Sequence, residues 1–169
     1  MPSTSKLRGM PYSRKEYIPG APSPKITRFT LGKVSAHYRG VYRLVAAEAG
    51  LLSHGALEAA RVSANKAFEV RFGEGNYFLR VIPYPHIVVR ERKVLTMAGA
   101  DRLSQGMQKA FGRPTALAAK VSPGLPIIEV SIPEPDLALA KKAFETASSK
   151  LPLKCVVKVV REQSAGEPG

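Results

Sequence analysis

Cysteine occurs once in this chain, at Cys155, and tryptophan not at all. A lone cysteine can neither close a disulfide within the chain nor supply a cysteine-rich zinc site, so neither framework is available. No apolar run approaches the ~18 residues that a membrane-spanning helix needs. The opening MPSTSKLRGMPYSRK has no apolar stretch that could act as a signal peptide. A soluble protein that stays inside the cell and has no membrane partner is therefore expected. Acidic residues are scarce: 13 Asp plus Glu stand against 26 Lys plus Arg, a formal net charge of +13, and the pI is near 10.1. Such a balance points to a polyanionic partner. Asn and Gln together number five, a depletion in the direction of thermophile proteins. What remains is one domain of 169 residues, 44% hydrophobic, with room for a modest core.

The charge is unevenly placed. Residues 1–43 carry an excess of +8, residues 44–96 +2, residues 97–120 +3, and residues 121–169 none. Two separate basic zones suggest a partner touched from two sides. The first 24 residues hold five prolines, four cations (Lys6, Arg8, Arg14, Lys15) and two tyrosines, Tyr12 and Tyr17, without an apolar period. Such a segment cannot fold alone. Prolines keep it extended and lower the entropy lost on ordering. Tyrosines can stack on bases while the cations neutralise phosphates. Residues 1–24 read either as a solvated disordered tail or, as the tyrosines among the cations favour, as an extended basic RNA-binding arm; residues 25–161 read as the core domain and 162–169 as a flexible tail.

Within the core, residues 25–31 (KITRFTL) alternate apolar and polar and predict a strand ended by Gly32. Residues 41–47 predict a second. From His54 to Phe72, Leu57, Ala60, Ala64 and Phe68 recur at helical spacing, and Gly73 and Gly75 stop the helix. Two strand pairs are expected next. Residues 77–82 and 86–90 are broken by the Pro83-Tyr84-Pro85 corner, and residues 116–121 and 126–132 meet at Ser122-Pro123-Gly124. A helix over residues 136–149 should bury Leu137, Ala140, Phe144 and Ala147. Residues 153–161 alternate as a last strand. This order predicts an α+β fold with a mixed, largely antiparallel sheet and two main helices.

Thr96 to Pro114, TMAGADRLSQGMQKAFGRP, is long for a connection in a compact domain, and loops of that length are usually functional or disordered. Leu103, Met107, Ala110 and Phe111 would suit a helical turn, but Gly99, Gly106 and Gly112 interrupt it, each interior Gly costing roughly 1 kcal/mol relative to Ala. It is either an ordinary surface loop or, as Arg102, Lys109 and Arg113 against one acid favour, a basic loop that contacts nucleic acid. Arg90, Arg92 and Lys93 stand at its mouth and are assigned to phosphate contact. Arg61, Lys66 and Arg71 lie on the long helix, either as a solvated face or as RNA contacts; Lys25 and Arg28 extend the basic zone of the arm. His37, His54 and His86 are far apart and lack any metal-binding spacing, so no metal is expected. No nucleophile motif or P-loop is present, and GEG at 73–75 follows a helix rather than a strand, so no cofactor is expected either.

The stretches ALEAARVSANK (56–66), RVIPYPHIVVRERK (80–93) and above all AGADRLSQGMQKAFGRP (98–114), with PYSRKEYIPGAPSPKI (11–26), resemble the archaeal and eukaryotic large-subunit ribosomal protein L ten e family, counterpart of bacterial L sixteen. The resemblance covers about residues 11–161. It implies an α/β hammerhead-type fold and a non-catalytic, cytoplasmic protein of the large ribosomal subunit, without homo-oligomers. The implied partners are 23S rRNA in the vicinity of 5S rRNA, tRNA, and neighbouring ribosomal proteins. It further implies that the loop, through Arg102, Gln105, Met107, Gln108, Lys109 and Arg113, reaches toward the peptidyl-transferase centre and the tRNA sites. Two departures stand out: the family's RCYR-like N-terminal stretch has no clear equivalent, and Gln108, followed by Lys109, stands where the family commonly has arginine. The competing class is an RNA-processing or RNA-modifying enzyme built on a basic α+β domain. A DNA-architectural protein would share the charge but would not need the long loop.

Overall fold

The computed structural model describes residues 15–35, 37–91 and 113–162. In chain order these form a 3₁₀ turn (Lys15–Tyr17), β1 (Thr30–Gly32), β2 (Gly40–Ala46), β3 (Gly50–Ser53), α1 (His54–Phe72), β4 (Phe78–Val81), β5 (Ile87–Glu91), β6 (Arg113–Val121), β7 (Pro126–Ile132), α2 (Leu137–Ser148) and β8 (Cys155–Glu162). Among the described residues the strands make a five-stranded sheet in the order β1-β4-β7-β2-β8 and a three-stranded sheet in the order β3-β6-β5, and every pairing is antiparallel. The fold is α+β, with the two helices expected.

Local signals set both helices. The Ser53 hydroxyl caps α1 by accepting the Ala56 N–H at 3.2 Å, and Gly73, at φ +78°, ends it by donating its own N–H to Glu69 O at 2.9 Å. Only a residue without Cβ adopts that angle freely. The Asp136 carboxylate caps α2 through the Leu139 N–H at 2.9 Å. Both helices bury small residues, Ala60 and Ala64 on α1 and Ala140, Ala143 and Ala147 on α2, which lets their axes approach closely. Phe68 and Phe144 meet edge to face at 6.1 Å. The helices cover one face of the large sheet, where Tyr42, Leu44, Leu79, Val81, Ile128 and Val130 point inward to a shared core. Leu52, Ala119 and Val121 bring the small sheet into that core.

Several strand expectations change. The strand expected over 25–31 shrinks to Thr30–Gly32: Phe29 O still accepts the Val81 N–H of β4 at 2.7 Å, but farther back the Lys25 N–H donates to His54 Nδ1 at 3.1 Å rather than to a strand. Neither expected strand pair is a hairpin. β4 and β5 belong to different sheets, and so do β6 and β7. The Pro123-Gly124 turn does not fold β6 onto β7. Its Gly124 N–H donates to Ala46 O at 2.8 Å and Leu125 O accepts Ala46 N–H at 3.0 Å, which attaches the turn to the end of β2. β3, four residues without alternation, was not anticipated, and Ala143 replaces the half-buried Leu137 in the stripe of α2.

The segment expected to be an arm does not stay clear of the core along its whole length. Lys15 N–H donates to His86 O at 2.9 Å, and Ile18, with Ala21 beside it, packs on Val88 and Leu117 of the small sheet. A single buried isoleucine has no period, which is why the sequence pattern concealed this contact.

Candidate nucleic-acid interface

Three groups of described cations bear on an interface. The first lies on the segment before β1 and along the small sheet. Lys15 is exposed on the 3₁₀ turn, which the His86 carbonyl holds beside the start of β5. Lys25 and Arg28 are exposed on the extended segment that follows. At the far end of β5, Arg90 pairs with Pro114 and Glu91 with Arg113, and the Thr115 hydroxyl donates to Val89 O at 3.1 Å. The segment 92–112 therefore joins the two strands of one antiparallel hairpin, and the last described pair holds its ends within ~4.5–5.5 Å, Cα to Cα. Arg113, exposed, and Arg90, half-buried, flank that mouth.

The second group lies on α1. Arg61 forks onto Glu58, Nε to Oε2 at 2.9 Å and Nη2 to Oε1 at 2.5 Å, and its side chain is 13% exposed. The hydrogen bond from the guanidinium to Glu58 raises the Arg61 pKa, outweighing burial. Glu58 thus neutralises most of the field that Arg61 would offer a phosphate. Lys66 and Arg71 stay exposed on this helix, Arg71 in its last turn, where a cation complements the helix dipole.

The third group was missed by sequence reasoning. Cross-strand register places Thr30, Arg80, Glu129, Arg43 and Lys158 in one row across the large sheet, on the face turned away from the helices. Arg161 pairs with Val41 farther along the same strands. Arg43 is bonded to Glu129, while Arg80, Lys158 and Arg161 are exposed. The period-2 alternation of Tyr-Arg-Leu in β2 and Leu-Arg-Val in β4 was the signal that could have found them.

Lys6, Arg8, Arg14, Arg92, Lys93, Arg102, Gln105, Met107, Gln108 and Lys109 lie outside the described residues.

The titratable groups that could suggest chemistry have structural tasks. His54, buried at the start of α1, accepts the Lys25 N–H, and burial first and Lys25 second lower its pKa, which keeps the ring neutral. Burial, with Glu69 and Glu74, pushes the Tyr77 phenol up to about 12, and its hydroxyl donates to Asn65 Oδ1 at 2.6 Å. Burial and Glu48 push the Cys155 thiol up to about 11, so it is no thiolate nucleophile near neutral pH. Among the described residues, an open cleft of about 530 Å³ gathers Lys33, His37, Tyr38 and Arg71 with Glu134. No group of three His, Cys, Asp or Glu side chains suited to a metal occurs among the described residues.

A profile of the family described as Ribosomal protein L16p/L10e matches residues 7–158, nearly the whole chain and all of the described core up to the middle of β8. The chain belongs to the L16p/L10e family. Proteins named large ribosomal subunit protein uL16 are similar along most of its length. That of Staphylothermus marinus is 50% identical over 145 residues, 86% of this chain and 83% of the relative. That of Hyperthermus butylicus is 45% identical over 152 residues, 90% and 84%, and that of Picrophilus torridus is 46% identical over 157 residues, 93% and 89%. The L16p/L10e family is one of structural ribosomal proteins rather than enzymes, which disfavours the RNA-modifying alternative.

Proposed function

We propose that this chain is a structural constituent of the large ribosomal subunit in the cytoplasm, where it binds rRNA and packs against neighbouring ribosomal proteins. The observation that carries this reading is the L16p/L10e family match over residues 7–158. The net charge of +13 agrees with it, since a protein lodged in folded RNA must neutralise phosphates.

The finer reading is that the chain sits on 23S rRNA near 5S rRNA and presents the basic loop toward the peptidyl-transferase centre and the tRNA sites. In this reading the residues divide the work. Lys6, Arg8, Arg14, Lys15, Lys25 and Arg28 hold one stretch of rRNA, Lys66, Arg90, Arg92 and Lys93 hold another, and Arg102, Lys109 and Arg113 face tRNA with Gln105, Met107 and Gln108. Arg61 contributes least, because Glu58 already takes its guanidinium. The β5–β6 hairpin supports this assignment: a stem packed in the body can carry a long connection outward without drawing on the core. The mechanism is positional, since holding RNA helices and tRNA in place lowers the entropic cost of bringing reactants together. Co-sedimentation of the tagged chain with large subunits, at salt concentrations that strip adventitious basic proteins, tests the reading. Recovery only in the free fraction overturns it.

A further inference from the structure

The corner between the two sheets presents an aromatic ring in an unusual way. Pro83 and Pro85 are buried, while Tyr84 between them is 52% exposed. Two prolines restrict their own φ angles and bias Ile82 and Tyr84 toward extended backbone. Hydrogen bonds fix both sides of the corner. Val81 N–H donates to Phe29 O at 2.7 Å and Ile82 N–H to Ile127 O at 3.0 Å, while His86 Nδ1 lies 3.0 Å from Tyr84 O and His86 O accepts Lys15 N–H at 2.9 Å. The Tyr84 ring is backed by Phe29, centroids 5.5 Å apart and planes inclined by 32°, and Phe29 rests on the main core. A ring held in this way has little freedom left to lose when something stacks on it.

The surroundings select the partner. Exposed Arg28 precedes Phe29, exposed Lys15 is tied to His86, and Lys25 lies on the same segment, with Glu16 the one acid between residues 15 and 30. A rigid aromatic face on a corner whose bonded neighbouring segments carry exposed cations suits a nucleotide whose base is free to leave its own stack; a paired base in an RNA duplex cannot reach it.

We propose that Tyr84 is a stacking platform for an unpaired nucleotide of RNA, with Lys15 and Arg28 taking the flanking phosphates. The inference rests on the RNA-binding reading above and adds to it a site and a nucleotide class.

The test uses the full chain and two probes, a short single-stranded oligoadenylate and an RNA duplex of equal length. Tyr84→Leu keeps an apolar cover over Phe29 but has no π face; it should weaken oligoadenylate binding roughly five- to a hundredfold and leave duplex binding unchanged. Tyr84→Phe should bind both probes as the parent does. The slope of log affinity against log salt should be the same for all three proteins, because no phosphate contact is removed. Arg28→Gln should instead flatten that slope. Equal melting temperatures of Tyr84→Leu and the parent separate a lost stack from a disturbed corner. Parent-like binding of oligoadenylate by Tyr84→Leu overturns the proposal, as does an equal loss on both probes, which would mark a fold defect or a surface meant for protein. A parent protein that binds neither RNA overturns the broader reading with it.

Discussion

Removal of the basic loop should separate its function from the stability of the body. The variant joins Ala98 directly to Arg113, so that fourteen of the 21 residues between Glu91 and Arg113 are lost and seven remain. Seven residues extend to at most roughly 25 Å, ample for a hairpin mouth only ~5 Å across. A threefold shorter connection lowers the closure cost by about 1 kcal/mol. In a domain of this size that corresponds to a change in melting temperature of only about 2–4 °C, on the stabilising side. The β5–β6 ladder and the packing of Ile18 on Val88 and Leu117 need none of the excised residues. Translation should behave differently. Excision takes away Arg102 and Lys109, and subunits carrying the shortened chain should form peptide bonds slowly or mature incompletely, with Arg102→Glu in the full chain causing part of the same defect. The assay is therefore a pair: thermal melting of the free variant, and peptide-bond formation by reconstituted large subunits. A fall in melting temperature several times larger than the closure term would show that the loop supports the body. Normal peptide-bond formation and assembly would show that its cations are idle.

Binding of the free protein to rRNA should fall about 10³- to 10⁵-fold between 50 and 200 mM salt if six to ten phosphates are neutralised; filter binding across that range checks it, and a flat response would remove the polyelectrolyte argument. His54 makes stability depend on pH in a defined direction. Its folded pKa lies below the ordinary 6.5, so its contribution is complete above that value and is lost as the pH falls toward the folded pKa, where the unfolded chain takes up a proton that the native ring resists. Urea midpoints at pH 7 and pH 5 should differ more for the parent than for His54→Asn, which keeps an acceptor but does not titrate; equal differences would contradict the assignment. Gly32→Ala places a Cβ 1.7 Å from Tyr77 O at a φ of +82°, so it should cost at least about 1–3 kcal/mol, read as a lower urea midpoint; an unchanged midpoint would mean that β1 moves away freely.

The sequence by itself determined the helices and the character of the partner. The predicted and observed limits of α1 coincide at His54–Phe72, and those of α2 differ by a residue at each end. Caps, glycine stops and the apolar stripe are local signals that act within one or two turns of chain. Net charge is additive along the chain, so the polyanionic partner was legible without coordinates, and the wording of residues 98–114 carried the family. Even the engagement of Arg61 was within reach, since Glu58 stands three residues away, the spacing at which helical side chains meet.

Only the tertiary structure decided which strands pair and which cations share a surface. Pro83-Tyr84-Pro85 and Ser122-Pro123-Gly124 both read as corners, yet no local pattern says whether the strands on either side stay in one sheet; here each corner passes the chain from one sheet to the other. Strand partners are chosen by burial across long separations, as when Arg43 meets Glu129 from 86 residues away. The same choice lined Arg80, Arg43 and Lys158 into one row on the open face and brought Lys15 to the carbonyl of His86. Helical order arises from neighbours along the chain, whereas sheet order and the surfaces it creates arise from contacts whose closure entropy is repaid only when the whole core forms.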